Sequence, residues 1–290
     1  MRRGLECVVG RTIARASMPR GTVRPISCSP SSVRLTRQLA GRTLAAVLRR
    51  GKRVVIETTA TGTPPSWLVI EPRMTGLLLV VDPPSIGHVR LVLDLVPGAG
   101  PARVLFWDRR GLGTVRLVDA AGLERTCVTP LGPDALAVTA DELAARLGRS
   151  RRGVKVALLD QRAVAGIGNI YASEILFRAG VDPRARCRAL ATADWACIAR
   201  ETRRVLRAAV RLEGSSIGDE TYRTTDSRPG RFQTRHRVYG RAGSACVRCG
   251  TAIERLVQAQ RSTFFCPACQ LRGPALRQRR RGGRRADAVR

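Results

Sequence analysis

Cys246, Cys249, Cys266 and Cys269 form two C-x2-C pairs separated by 16 residues, and no other feature of the 290-residue chain limits its folding as tightly. Each pair sets two thiolates on one tight turn, and two such turns on neighbouring hairpin ends complete the tetrahedral shell that zinc prefers. The competing arrangement, disulfides, fits poorly because cysteines so close in sequence seldom meet disulfide geometry. Four thiolates leave no open coordination position, so the spacing predicts one structural zinc ion rather than a catalytic one. The remaining cysteines, Cys7, Cys28, Cys127, Cys187 and Cys197, are scattered without pairing logic. That usage suits a reducing compartment.

Charge says what such a module serves. A net charge of +30 with a pI near 11.6 is far beyond what solubility requires. Counterion release makes a surface of this kind bind polyphosphates, so nucleic acid is the expected partner. No apolar run reaches the roughly 18 residues of a membrane span, and the N-terminus lacks the apolar core of a signal peptide. A cytosolic protein associated with DNA is expected.

From residue 54 to 118 the chain shows short aliphatic runs, at 54–56, 67–70, 77–81, 89–95 and 104–107, separated by Gly, Pro and Asp. The connections are too short for crossover helices, which predicts an antiparallel sandwich or barrel. Residues 34–48 read as a helix before it. After Pro133 the periodicity turns helical, at 141–147, 154–161, 170–179 and 192–212, broken by glycines and Pro183. The expected class is α+β: a β-sandwich domain over 1–125, a helical domain over 126–228, a zinc-finger hairpin over 229–272 and a basic tail over 273–290. The tail, rich in Arg and Gly at 277–285, is expected to lack structure.

The sharpest local signal is Leu158-Leu159-Asp160-Gln161 followed by Ala165-Gly166-Ile167-Gly168-Asn169-Ile170-Tyr171. Two helices flank a glycine-bearing turn, and backbone amides at 166–169 offer a phosphate cradle. This stretch resembles the helix-two-turn-helix motif of the formamidopyrimidine-DNA glycosylase family, bacterial base-excision repair enzymes. The segment from Tyr239 to Gln270, with Arg261-Ser262-Thr263-Phe264-Phe265-Cys266, resembles the same family's zinc finger. Looser likenesses precede them. Arg49-Arg50-Gly51-Lys52 resembles the family's basic turn, Arg73-Met74-Thr75-Gly76 the loop whose methionine enters the gap left by an everted base, and Asp108-Arg109-Arg110-Gly111-Leu112-Gly113 the loop that supplies an arginine and an apolar wedge.

The resemblance implies a bifunctional glycosylase and abasic-site lyase that removes oxidised purines of the formamidopyrimidine and 8-oxoguanine type through a Schiff base and β,δ-elimination. It would act as a monomer on damaged or abasic duplex DNA lying across a groove between the strand-rich and helical domains. Met74, Arg110 and Leu112 would fill the vacancy, because eversion costs a few kcal/mol of stacking that an inserted side chain partly restores. Arg151, Lys155, Asn169 and Arg261 would hold phosphates. Lys52 would support elimination, with Arg261 beside the reacting strand. Lys52 and Lys155 are the only lysines against 50 arginines, and both fall where the family pattern has lysine. A compact amine that can lose its proton is what arginine cannot supply. Residues 214–231 resemble the family's mobile cover over the extruded base.

Met1-Arg2-Arg3-Gly4-Leu5-Glu6 aligns inside the family's first helix, so the proline and glutamate that perform the attack have no counterpart in the sequence as written, and the expectation is a native start further upstream. Two other readings are a damaged-DNA-binding relative without chemistry, or an oxidised-pyrimidine glycosylase of the endonuclease VIII type. A zinc-ribbon regulator that binds DNA by sequence stands apart from all of these. Binding of structural zinc is itself folding free energy, about 10–16 kcal/mol in small finger peptides. Cys249→Ser is therefore expected to release zinc and abolish DNA affinity. Tight binding by the zinc-free variant would refute the finger.

Overall fold

The computed structural model describes residues 1–19, 24–218 and 222–271. The basic run at 277–285 lies outside the described residues, as do positions 219–221 of the cover segment. The strands are β1 (Ile13–Ser17), β2 (Ser27–Ser29), β3 (Thr43–Arg50), β4 (Arg53–Ala60), β5 (Thr63–Glu71), β6 (Gly76–Leu79), β7 (Val89–Leu95), β8 (Arg103–Asp108), β9 (Thr114–Val118), β10 (Glu254–Gln258) and β11 (Arg261–Phe265). The α-helices are α1 (Ser32–Leu39), α2 (Ala120–Leu123), α3 (Ala140–Leu147), α4 (Val154–Leu158), α5 (Asn169–Ala179) and α6 (Thr192–Arg211). They fall into two compact units, Met1–Pro130 with Leu212–Gln233, and Leu131–Arg211 with the chain from Thr234 onward.

The first unit is a sandwich of a four-stranded sheet, β1-β7-β8-β6, and a five-stranded sheet, β2-β9-β5-β4-β3. All pairings are antiparallel except β2 with β9. Alternation sorts the side chains. Leu44, Ile56, Leu68, Leu78, Leu93 and Phe106 belong to one buried cluster, while Leu77, Leu79, Val89, Leu105 and Trp107, from β6, β7 and β8, form a second. Met1 and Tyr222 pack against that second cluster. Nearby, the Val80 N–H donates to the Thr225 carbonyl at 2.8 Å. These contacts explain why residues 212–233 pack with the strands, where the sequence pattern carried the helical domain to 228.

The expected helix over 34–48 is a helix only to Leu39; residues from Thr43 form β3. Gly41, at φ +78°, breaks the chain between them. The misleading signal was the i, i+3 spacing of Leu44 and Val47, both buried. A bulge between Leu44 and Ala46 shifts the strand's phase by one residue and turns both side chains to the core. Pairing with β4 across the Gly51-Lys52 turn then outweighs the helical spacing. Three further strands, β1, β2 and β9, escaped the run-based reading because they are short and carry Arg, Ser or Thr.

In the second unit α3 begins with a capping box, the Thr139 side chain accepting from the Glu142 N–H while the Glu142 carboxylate accepts from the Thr139 N–H. α5 ends at Gly180, φ +71°, in the left-handed conformation that glycine supplies cheaply. β10 and β11 form a hairpin whose two loop residues, Ala259 and Gln260, both have positive φ. Non-glycine residues in that conformation are strained by roughly 1–3 kcal/mol each.

Candidate DNA-binding site

Two loops of the sandwich carry the residues expected to form a wedge, and one carboxylate holds both loops. Asp108 is 0% exposed. Its Oδ1 accepts from the Thr75 hydroxyl and from the Arg110 N–H at 3.3 Å, and its Oδ2 accepts from the Gly113 N–H at 2.7 Å. The buried Arg90 guanidinium donates twice to the Asp108 carbonyl, at 3.0 and 2.8 Å. Beneath the loops lies the Phe106 ring: a Cβ at Gly76 would come within 2.9 Å of it and one at Gly113 within 2.6 Å. Only glycine allows both loops to close onto that ring. Held this way, Met74 stands 70% exposed, an unusual place for a methionine. The Arg110 Nη1 lies 3.4 Å from its sulfur, and Leu112 is half-buried on the same loop. The sandwich thus brings Met74 and Arg110 together, with Leu112 two residues further on the same loop. Lys52 is elsewhere in this unit, exposed at the tip of the β3–β4 turn, where Gly51 has φ +58°.

In the second unit Lys155, Asn169 and Arg261 converge. The Lys155 ammonium, 0% exposed, donates to Asn169 Oδ1 at 2.5 Å, to Thr263 Oγ1 at 2.8 Å and to the Ser262 carbonyl at 3.0 Å. Asn169 Nδ2 donates to the same Ser262 carbonyl at 3.1 Å. Arg261, immediately before Ser262 in the chain, is exposed at the start of β11. Asn169 is the first residue of α5, whose opening amides lack helical partners and carry the positive end of the helix dipole. The amide cradle is narrower than the sequence suggested, because the Gly166 N–H is bound inward by Gln161 Oε1 at 2.9 Å. Arg151 is exposed just before α4. Burial, with Arg261 adding to it, pulls the Lys155 ammonium down to a pKa of about 8.

The four cysteine sulfurs lie within 4.8 Å of one another. Individual separations are 3.9 Å for Cys246–Cys269, 3.5 Å for Cys249–Cys266 and 3.4 Å for Cys249–Cys269. A tetrahedron with Zn–S near 2.3 Å has edges of about 3.8 Å, so the set fits one zinc ion. Helix α5 supports this finger along its length. Buried Glu174 accepts the Arg237, Val238 and Tyr239 N–H groups at 2.9–3.0 Å. Arg248 lies 4.4 Å over the Phe177 ring and donates to the Phe177 carbonyl at 3.0 Å. Gln270 Nε2 donates to the Val181 carbonyl at 2.8 Å. Sequence reasoning missed Asp108, Glu174, Ser262 and Thr263 as organisers; the one available cue was an isolated acid beside arginines at 108–110.

A β-sandwich, a paired-helix turn and a docked four-cysteine finger define a duplex-DNA-binding protein of the helix-two-turn-helix repair class. Comparison with known proteins is specific. Family models match in order: the formamidopyrimidine-DNA glycosylase N-terminal domain over residues 1–115, the formamidopyrimidine-DNA glycosylase H2TH domain over 131–221, and the zinc finger found in FPG and IleRS over 243–272. The chain is 41% identical over 251 residues to the formamidopyrimidine-DNA glycosylase of Chloroflexus aggregans, covering 85% of this chain and 88% of that protein. It is 39% identical over 287 residues to that of Paracoccus denitrificans, covering 93% and 96%. Among solved structures, the MutM (Fpg) protein of Thermus thermophilus superposes with a TM-score of 0.79 at 37% identity, covering 94% of this chain and 97% of that one. The Lactococcus lactis Fpg in complex with abasic-site DNA gives 0.80 at 29% identity, covering 93% and 96%. The chain belongs to the formamidopyrimidine-DNA glycosylase family.

Asp108→Asn places an amide N–H where the carboxylate accepts one. Loss of a charge-assisted acceptor costs about 1.5–3 kcal/mol. Urea unfolding of the variant is expected to show that loss with zinc content unchanged, and an unaltered midpoint would remove Asp108 from its organising role.

Proposed function

We propose that this chain is a base-excision repair glycosylase and abasic-site lyase for oxidised purines, with one structural zinc ion and damaged duplex DNA as its partner. Support comes from all three family modules in order at 39–41% identity to curated formamidopyrimidine-DNA glycosylases. The single structural observation that carries it is the exposed Met74 held against Arg110 on loops tied to one buried carboxylate. An apolar side chain fixed in solvent has a role when a stacked base leaves its neighbours.

Basic residues steer the protein onto DNA. As the damaged nucleotide turns out, Met74 and Leu112 occupy the vacancy and Arg110 addresses the orphaned base. Asn169, Arg151 and Arg261 hold phosphates flanking the lesion, with Lys155 in the same cluster. Lys52 sits near the sugar and supports elimination, and residues 214–231 cover the extruded base. The protein acts as a monomer in the bacterial cytoplasm at the nucleoid. No helix among the described residues is long and apolar enough to cross a membrane.

The decisive assay is excision of 8-oxoguanine or formamidopyrimidine from a duplex, with borohydride trapping of the protein on the strand. Release of base and a covalent adduct are expected. Tight abasic-site binding with neither would leave a binding protein without chemistry, and equal affinity for intact and abasic duplexes would remove the repair reading altogether. Arg261→Ala is expected to weaken binding uniformly across sequences and reduce the salt slope by about one. A changed base preference would contradict a phosphate contact.

A further inference from the structure

We propose that Lys155 is a positioning residue of the DNA clamp, a buried ammonium that touches no phosphate and instead aims the Asn169 amide and fixes the strand that carries Arg261. The inference rests on the DNA-binding reading of Asn169 and Arg261 above. Its basis is donor arithmetic. A lysine ammonium has three N–H donors. Here all three are committed, to Asn169 Oδ1, Thr263 Oγ1 and the Ser262 carbonyl, and the side chain is 0% exposed. No N–H remains for a phosphate oxygen, and no surface remains for one to approach.

What the ammonium does instead is set two neighbours. Its bond to Oδ1 decides which way the Asn169 amide is turned, so that Nδ2 faces the Ser262 carbonyl with one N–H and keeps the second for a ligand. Its bonds to Ser262 and Thr263 hold the start of β11 immediately after Arg261. Thr263 Oγ1 in turn donates to Gln258 Oε1 at 3.1 Å, which ties in the other strand of the hairpin. One cation therefore joins α4, the start of α5 and both strands of the hairpin within a single unit.

A pH signature follows from the same geometry. Burial, then Arg261, brings Lys155 to a pKa of about 8 from an ordinary 10.5. Among charged groups on the adjoining elements, Arg261 is the one that acts on it. Asp160 is bound by Arg152 at 3.1 Å and Asp182 by Arg184 at 2.7 Å. Above pH 8 the neutral amine has two donors for three acceptors, and the clamp slackens. The sign for folding is opposite. Between about 8 and 10.5 the unfolded chain binds more protons than the folded one, so stability of the free protein rises with pH while DNA affinity falls. A residue with a merely structural role would move both the same way.

The test is a double-mutant cycle on the full chain with zinc bound, using a duplex containing a tetrahydrofuran abasic analogue. Lys155→Met and Asn169→Ala are each expected to weaken binding about ten- to hundredfold. The double variant is expected to be no weaker than the weaker single variant within about twofold, because one acts through the other. Binding by the unsubstituted chain should fall as pH rises through 8 with no drop in Tm, and Lys155→Met should lose that dependence. Lys155→Gln, which keeps two donors without charge, serves where the methionine variant folds poorly, and should retain more affinity while also losing the pH dependence. Additive losses in the double variant, or a pH-independent unsubstituted chain, overturn the proposal. Failure of the unsubstituted chain to prefer the abasic duplex instead overturns the functional reading beneath it.

Discussion

A buried carboxylate survives only where hydrogen-bond donors replace the water it has lost. Glu174 meets that condition with three consecutive N–H groups, from Arg237, Val238 and Tyr239. The contact decides where the chain enters the zinc finger, since residues 237–239 lead directly to the first cysteine pair. Phe177, one turn further along α5, lies in the buried cluster with Val238, Cys246, Phe264 and Cys266. Below it Gly180 and Val181 exchange backbone and side-chain bonds with Gln270 and Leu271. The finger is thus built onto α5, and metal and helix constrain the same short segment from two sides.

The sandwich uses the same device. Asp108 gathers the Thr75 hydroxyl and the Arg110 and Gly113 N–H groups, and so joins two loops 35 residues apart in the chain. In a chain with 52 basic and 22 acidic residues, these two acids stand inside, where they organise backbone. The exposed basic side chains are left to meet polyphosphate. Lys155 inverts the pattern: a buried cation collects acceptors and orients groups that themselves reach the surface. Buried charges with all partners satisfied confer geometry rather than much net stability, and geometry is what a DNA-binding surface requires.

The zinc site, the helical second half and the antiparallel sandwich were legible because each rests on local spacing: two residues between paired cysteines, the helical repeat, and strand runs bounded by turn residues. Residues 43–48 were not, because a bulge gave a strand the spacing of a helix, and the deciding partner, β4, can be recognised only after the hairpin closes. β1 and β9 were missed for a related cause. Their neighbours in the sheets, β7 for β1 and β5 for β9, lie tens of residues away, and each carries an arginine and a hydroxyl residue among its five.

Among the candidate site residues, Met74, Arg110 and Asn169 could be named from loops and turns, yet nothing local says that Met74 stands in solvent or that Gly166 turns its amide inward to Gln161. By itself the sequence determined the metal ligands, the strand-rich first part and helical second part, the charge that selects a polyphosphate partner and the order of the modules, because all of these depend on residue type and short-range spacing. Only the tertiary structure decided which carboxylates became scaffolds and which lysine was consumed inside. Those outcomes depend on which donors and acceptors meet after burial, and the chain reveals that only when segments like residues 155, 169 and 263 are brought within hydrogen-bond reach.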